Sequence, residues 1–314
     1  MTQRKIFITG ASGCIGQYLV RHLVQNPENF LYLLVRSPEK LREDLRSHPQ
    51  VKLLAADLKD VEDFADILSS VEVAVLAAAA WGGEAEAKLV NLTQNLKILN
   101  LLNSKVCQHI FYFSTASVLD RQNNLLPEAR AFGTDYIATK YDCLQALDQS
   151  DWRDKITVVF PTLVFGGEPG LPYSHISAGL ADTLKYMPLI RWFRTEGSFH
   201  CVHAEDIARV LGHLIQNPND IPAHYVVLGN PPINVNRAIA EICEYLKLKI
   251  YFRVSLTRWL VNVFIKVFRI QMDDWSRFSL EYRHFTYTNP VNPRSFGLKS
   301  HCPTISELLK KSGV

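Results

Sequence analysis

Thr9-Gly10-Ala11-Ser12-Gly13-Cys14-Ile15-Gly16 stands between a short apolar run, Lys5 to Thr9, and a helix-like stretch from Ile15 to Gln25. Glycines in such a bend let the backbone turn sharply and approach a diphosphate, whose charge then rests on the unpaired N–H groups at the positive end of the following helix. The setting gives the motif its weight, because a glycine triplet at a strand-to-helix junction near the N-terminus is the context in which dinucleotides are bound. Gly10, Ser12, Gly13, Cys14, Ile15 and Gly16 are therefore candidate cofactor residues.

Outward from this loop, the same alternation repeats. Phe30 to Val35, Val51 to Ala55, Val71 to Ala77, His109 to Phe113 and Ile156 to Phe160 are short, nearly continuous apolar runs, as expected of strands buried on both faces. Ser37 to Ser47, Leu58 to Leu68, Glu84 to Asn103 and Gly133 to Gln149 carry helical periodicity between them. Strand and helix in this order predict an α/β fold, a Rossmann-type doubly wound parallel sheet. The rhythm breaks after about residue 165 with the cluster Gly166-Gly167-Glu168-Pro169-Gly170-Leu171-Pro172. Residues 1–165 are read as the dinucleotide-binding domain. Residues 166–314 are mostly a smaller C-terminal substrate-binding lobe, with segments near 200–230, including the helix Ala204 to Gln216 and the strand Tyr225 to Leu228, returning to the first domain.

Composition limits the function classes. With 34 Lys+Arg against 31 Asp+Glu the formal charge is only +3, too small to steer the whole chain strongly toward nucleic acid or an anionic membrane. A content of 47% hydrophobic and 21% charged residues excludes disorder. Cys14, Cys107, Cys143, Cys201, Cys243 and Cys302 include no C-x-x-C pair and no zinc spacing, so no metal is expected and the thiols read as reduced. The N-terminal apolar run is too short for a signal-peptide core, and the expected location is the cytoplasm. The stretch 256–270 places Arg258, Asn262, Lys266 and Arg269 on one helical face opposite apolar residues. Most such helices pack on a core, so membrane contact through 256–270 is the lesser expectation.

Two further stretches bear on chemistry. The second strand ends in Leu34-Val35-Arg36-Ser37-Pro38, with no carboxylate to accept from a ribose 2′-hydroxyl. Arg36 offers a planar guanidinium suited to a 2′-phosphate, and so NADP is expected ahead of NAD. Tyr136-Ile137-Ala138-Thr139-Lys140 puts a phenol and an ammonium four residues apart, on one face of a helix. The nearby charge is expected to lower the phenol's pKa and fit Tyr136 for proton transfer to an alcohol or ketone.

With T-G-x-x-G-x-x-G, a Ser/Thr-rich strand end and Y-x-x-x-K in this order, the sequence resembles the extended branch of the short-chain dehydrogenase/reductase superfamily, of the epimerase/dehydratase type. The resemblance covers the first two thirds of the chain well and the last third loosely. It implies that Asp57 and Leu58 hold the adenine, that the backbone at Ala77 and Ala78 passes the cofactor, and that Lys140 bonds the nicotinamide ribose. It selects Thr115, from Phe113-Ser114-Thr115-Ala116-Ser117-Val118, as the hydroxyl that bonds the reacting oxygen, with Ser114 and Ser117 close by. Phe160-Pro161-Thr162-Leu163-Val164-Phe165-Gly166 resembles the segment holding the carboxamide, which brings in Pro161 and Val164. Asn91 is read as structural first, and His203 and Asp206 as caps rather than a catalytic pair.

The expected catalytic set is thus Thr115, Tyr136 and Lys140. Three functions remain open on the residues. The first is reversible hydride transfer between a nicotinamide and a carbonyl or alcohol of a small, fairly apolar substrate, with Tyr173 to Trp192 and the aromatic-rich C-terminal lobe lining the cleft. The second is nucleotide-sugar epimerisation with retained NAD. The third is an idle cofactor-binding sensor or assembly protein. Dehydration is disfavoured, because dehydratases of this branch carry Asp-Glu where this chain has Ala116-Ser117. The resemblance also implies a homodimer through the helices beginning near Glu84 and Gly133.

Overall fold

A computed structural model describes residues 3–257, 259–261 and 271–312. Among them lies a central sheet of seven strands. Six come from the first half of the chain: β1 (Arg4–Thr9), β2 (Asn29–Val35), β3 (Val51–Ala55), β4 (Val73–Leu76), β5 (His109–Phe113) and β6 (Ile156–Pro161). The seventh, Tyr225–Leu228, joins the edge beside β6, giving the order Tyr225–Leu228, β6, β5, β4, β1, β2, β3. Every pairing is parallel. β1 and β4 are neighbours, and the chain winds outward from them in both directions. The crevice beyond their C-terminal ends is where ligands of such sheets bind.

Burial explains why these strands form. β4 and β6 are buried along their whole length, with Val75, Val158, Val159 and Phe160 at 0% exposure. Helices cover both faces, as a parallel sheet requires. α1 (Cys14–Leu23) and the helix Ala204–Gln216 bury Tyr18, Leu19, Leu211 and Leu214 on one face. The helices 84–101 and Asp135–Asp148 bury Ile98, Leu99, Ile137 and Leu144 on the other. A third cluster, with Leu180, Leu184, Met187, Cys243 and Leu308, forms the interior of the C-terminal lobe.

Three helix expectations need correction. The stretch predicted over Ser37 to Ser47 holds only a turn at Pro38–Lys40 and four residues at Glu43–Arg46, because Leu41 between them is extended, with ψ 135°. Leu58 to Leu68 is a 3₁₀ turn running into Ala65–Leu68, interrupted by the non-helical Asp60. The 84–101 helix contains a π turn at Leu89–Thr93. Buried Asn91 sits in that turn, bonding both the N–H and the carbonyl of Ala80 at 2.9 Å and the Thr139 hydroxyl at 3.0 Å. It ties the loop after β4 to the helix Asp135–Asp148. Of the basic stretch 256–270, positions 258 and 262–270 lie outside the described residues.

The C-terminal segment is anchored by Asp206, which is 0% exposed. Its carboxylate accepts from the Ser300 hydroxyl (3.1 Å) and from the N–H groups of His301 (2.6 Å) and Cys302 (3.1 Å). Asp206→Ala would leave all three donors without that acceptor inside the protein. Urea unfolding should show a loss of about 3 kcal/mol, with a smaller loss for Asp206→Asn. A change within about 0.5 kcal/mol would deny the carboxylate this anchoring role.

Candidate active site

α1 begins at Cys14 with Gly13 as its N-cap and no capping side chain. Its first intrahelical bond to that cap is made by Gln17 N–H, so the preceding N–H groups have no acceptor within the helix. They face the loop that the sequence singled out. Gly10 has φ +73°, and a Cβ there would lie 2.6 Å from the Ala77 carbonyl. A Cβ on Gly16 would lie 2.1 Å from the Gly10 oxygen. Only bare backbone fits at both positions, and the Ala78 N–H bond to Thr9 Oγ1 (3.2 Å) holds the β1 and β4 loops together.

These loops form one end of a cavity of about 950 Å³. Gly10, Ser12, Gly13, Cys14, Ile15 and Gly16 line that end. Arg36, Asp57 and Leu58 line it at the tips of β2 and β3, and Ala77 and Ala78 at the tip of β4. Thr115, Tyr136, Lys140, Pro161 and Val164 line the other end. The structure therefore brings every residue predicted for the cofactor and for the catalytic set to one cavity. Arg36 and Asp57 approach each other at 3.7 Å, with the Arg36 side chain 69% exposed. Asp57 also accepts from Lys59 N–H at 3.1 Å, so it caps the turn that follows as well as lining the cavity.

The chemical end is positioned by a capped helix. Thr134 caps Asp135–Asp148 by accepting from Ile137 N–H, which sets Tyr136 in the first turn and Lys140 one turn later. The Thr115 hydroxyl and the Tyr136 phenol line the same cavity, and the hydroxyl acts to lower the phenol's pKa. It also accepts from Ser117 N–H at 3.3 Å, which closes the turn after β5 and fixes its side chain. Neighbouring Ser114 is buried, and its Oγ has no partner.

Lys140 does not act on Tyr136 as the spacing suggests. Its Nζ donates to the Phe113 carbonyl at 2.6 Å and sits 4.7 Å above the Tyr112 ring. Burial holds its pKa down at about 8. Burial pushes the Tyr136 phenol up, opposed by the Thr115 hydroxyl. In the ligand-free protein the dominant influence on both groups is desolvation, and both are shifted toward their neutral forms.

The aromatic-rich C-terminal lobe lines the cleft as the sequence suggests, but the sequence reading did not single out Trp81. Trp81, in the loop after β4, stacks on Tyr136 with ring centroids 4.0 Å apart and on His175 at 5.0 Å. Phe199, Trp275, Phe285 and Tyr287 come to the cavity from the C-terminal lobe. They arrive from short strands, a loop and the helix Asp274–Tyr282, far apart in the chain. Of the predicted apolar lining from Tyr173 to Trp192, only Tyr173, Ser174, His175 and Ile176 reach the cavity. Leu180, Leu184 and Met187 are lobe core instead, while Tyr186 and Leu189 point to solvent.

Three histidines near the site are structural in their bonding. His200 also lines the cavity, with its Nδ1 2.7 Å from the Asn230 carbonyl and its Nε2 accepting from Tyr287 N–H at 3.1 Å. His203 caps the helix Ala204–Gln216, its Nδ1 accepting from Glu205 N–H. The proton of its neutral ring is therefore on Nε2, which is buried with no hydrogen-bond partner among the described residues. His203, His301 and Cys302 bring donor atoms within 4.8 Å of one another. The Nε2 of His301 pairs with the Glu168 carboxylate at 2.9 Å, so both rings are held in place by bonds to the fold.

Comparison with known proteins agrees with this architecture. An oxidoreductase of Aspergillus parasiticus, aflX, is 28% identical over 125 residues, 37% of this chain, and the match spans about half of that protein's length (47%). A structure titled gox2253 superposes with TM-score 0.68 at 15% identity, covering 98% of this chain and 97% of that one. A dTDP-glucose 4,6-dehydratase of Bacillus anthracis, solved in complex with NAD, gives 0.65 at 12% identity over 99% and 96% of the two chains. A UDP-N-acetylglucosamine 4-epimerase of Methanobrevibacter ruminantium gives 0.65 at 16% over 100% and 98%. At these identities the structures are alike in fold alone. The family described as "NAD dependent epimerase/dehydratase family" matches residues 6–229, a span that runs from β1 to just past the seventh strand of the sheet. The chain belongs to the NAD dependent epimerase/dehydratase family.

Proposed function

We propose that this protein is an NADP-dependent oxidoreductase that reversibly reduces a carbonyl on a small, fairly apolar substrate. The observation that carries the reading is a cavity that brings Thr115, Tyr136 and Lys140 together and whose lobe side carries the rings of Phe199, Trp275, Phe285 and Tyr287, with Arg283 there paired to Glu196. The glycine cradle and the unpartnered Ser114 Oγ fit a dinucleotide laid from α1 to Tyr136. When bound, that cofactor supplies or accepts the hydride. Gly10, Gly13 and Gly16 admit its diphosphate against the N-terminus of α1. Asp57, Leu58, Ala77 and Ala78 flank its adenine half, and Pro161 and Val164 its nicotinamide half. Thr115 orients the substrate oxygen, Tyr136 gives it a proton on reduction, and Lys140 holds the cofactor ribose. The six unpaired thiols fit a reducing, cytoplasmic setting. The homodimer, through 84–101 and Asp135–Asp148, belongs to the same proposal.

Arg36 is assigned to the 2′-phosphate. Its exposed pairing with Asp57 holds it only weakly and is readily exchanged for a phosphate. Arg36→Glu should lower the NADPH-over-NADH preference in kcat/KM by about 100-fold, because a charge-assisted pair is lost and a repulsion is gained. Steady-state rates with both cofactors measure it, and an unchanged ratio removes Arg36 from the site. The class of reaction is tested by assaying the purified protein for NADPH oxidation with apolar ketones and aldehydes. Turnover supports the reductase. NAD that copurifies tightly, with no net NADPH consumption, assigns the epimerase instead.

A further inference from the structure

The outer face of the C-terminal lobe carries an aromatic surface that neither the cavity nor the core uses. Phe193–Arg194 pairs with Val254–Ser255 as two parallel strands, with Val254 N–H donating to the Trp192 carbonyl (2.7 Å) and Leu256 N–H to that of Arg194 (2.9 Å). This pairing brings residues 186–194 beside residues 251–259. Tyr186 (64%), Leu189 (60%), Tyr251 (76%), Phe252 (62%), Val254 (46%) and Trp259 (72%) all stand exposed there. Trp192 stacks on Phe252 at 4.8 Å and faces Tyr251 at 6.3 Å, so the patch is ordered by its own rings. Nearly half of the large apolar side chains exposed among the described residues fall in these two segments. Isolated exposed apolar residues need no explanation, but a contiguous group of this size marks an interaction surface.

Charge selects the partner. Among the described residues between Glu244 and Asp273, Lys247, Lys249 and Arg253 are basic and none is acidic. Exposed Lys247 and Lys249 lie directly before Tyr251 and Phe252. Tyr and Trp rings beside lysines are the composition of the membrane–water interface, where the rings sit among headgroups and the ammonium groups meet anionic lipid. No helix among the described residues is long and apolar enough to cross a membrane. The helix His175–Lys185 starts at the cavity mouth, with His175 and Ile176 in its lining, and ends directly before Tyr186. Its eleven residues span about 16 Å, which separates the patch from the cavity mouth along the helix.

We infer that this aromatic and basic surface docks the protein on an anionic lipid bilayer. The rings of Tyr251, Phe252 and Trp259 enter the headgroup region, and Lys247 and Lys249 hold the acidic headgroups. The inference stands whether the active site is a reductase or an epimerase.

The test is sedimentation of the full chain with vesicles of phosphatidylcholine alone and with about 30 mol% phosphatidylglycerol, a content that gives a negative surface potential. The protein should pellet with the anionic vesicles and be released by added salt. The triple variant Tyr251→Ser, Phe252→Ser, Trp259→Ser should bind them at least about tenfold more weakly, and Lys247→Glu with Lys249→Glu should also weaken binding at least about tenfold. Both variants should keep the parent's melting temperature and dinucleotide affinity, because none of these side chains is core or cavity lining. Parent protein that stays in the supernatant with anionic vesicles overturns the inference. So does a triple variant that binds them equally well. A parent dimer that the triple variant converts to monomer, seen by light scattering, overturns it too by assigning the patch to a second copy of the chain.

Discussion

Replacing Tyr136 by Phe should lower kcat by about 10³-fold or more, the range of a lost general acid, while dinucleotide affinity stays within about twofold. The substitution deletes one oxygen and keeps the ring. Its contact with Trp81 at 4.0 Å and its place in the buried cluster are retained, so a fall in rate reports the proton and not the fold. Thr115→Ala should cost less, about 10- to 100-fold, because it removes an orienting hydroxyl and leaves the acid. Single-turnover hydride transfer and fluorescence titration of NADPH separate the two quantities. A Tyr136→Phe protein that turns over at the parent rate would exclude Tyr136 as the acid and with it the mechanism proposed above.

Lys140→Met should lower kcat/KM by about 100-fold or more, and it should also change stability with a defined pH dependence. Burial holds the folded-state pKa of Lys140 at about 8, below the ordinary 10.5. Below pH 8 the amine is charged in both folded and unfolded chains, and the folded state bears the full burden of burying that charge, up to about 3 kcal/mol. Between about pH 8 and 10.5 the unfolded chain binds more protons than the folded one, so parent stability rises with pH and the burden is lifted. The Met variant titrates nothing at this position. Its melting temperature relative to the parent should therefore be highest near pH 7 and should fall as pH passes through 8. A difference independent of pH would show that Lys140 is not desolvated in the ligand-free protein.

The two predictions together describe a site held against stability. A fully buried amine with one carbonyl partner is costly unless something else requires it. Its neighbour Ser114 presents an unpaired hydroxyl in the same place. Polar groups left incomplete at the end of β5 are what a cleft built for a ligand contains, because the ligand completes them.

How much of this was legible in the chain depends on the range of the forces involved. The strands could be read because burial on both faces demands unbroken apolar runs, and β3 and β5 fall on the predicted limits. The helices after β2 and β3 could not, because an extended Leu41 and a non-helical Asp60 interrupt stretches whose apolar spacing is otherwise helical. The glycine bend, Tyr136 and Lys140 were legible because each is a local pattern with a local physical reason. Trp81 was not, since its stacking on Tyr136 and His175 joins three separate parts of the chain. Residues 173–192 were read as cleft lining, but composition cannot aim side chains, and the lobe turned Leu180 and Leu184 inward and Tyr186 and Leu189 outward.

By itself, then, the sequence determined the doubly wound sheet, the bend that admits a diphosphate and the pairing of a phenol with an amine one helical turn apart. Those follow from periodicity and backbone sterics, which act over a few residues. Tertiary structure alone decided the direction in which Tyr136 and Lys140 are shifted, the particular rings that face them and the rings left exposed on the lobe. Desolvation and ring contact depend on what the rest of the chain packs against a residue, and neighbours in sequence do not encode that.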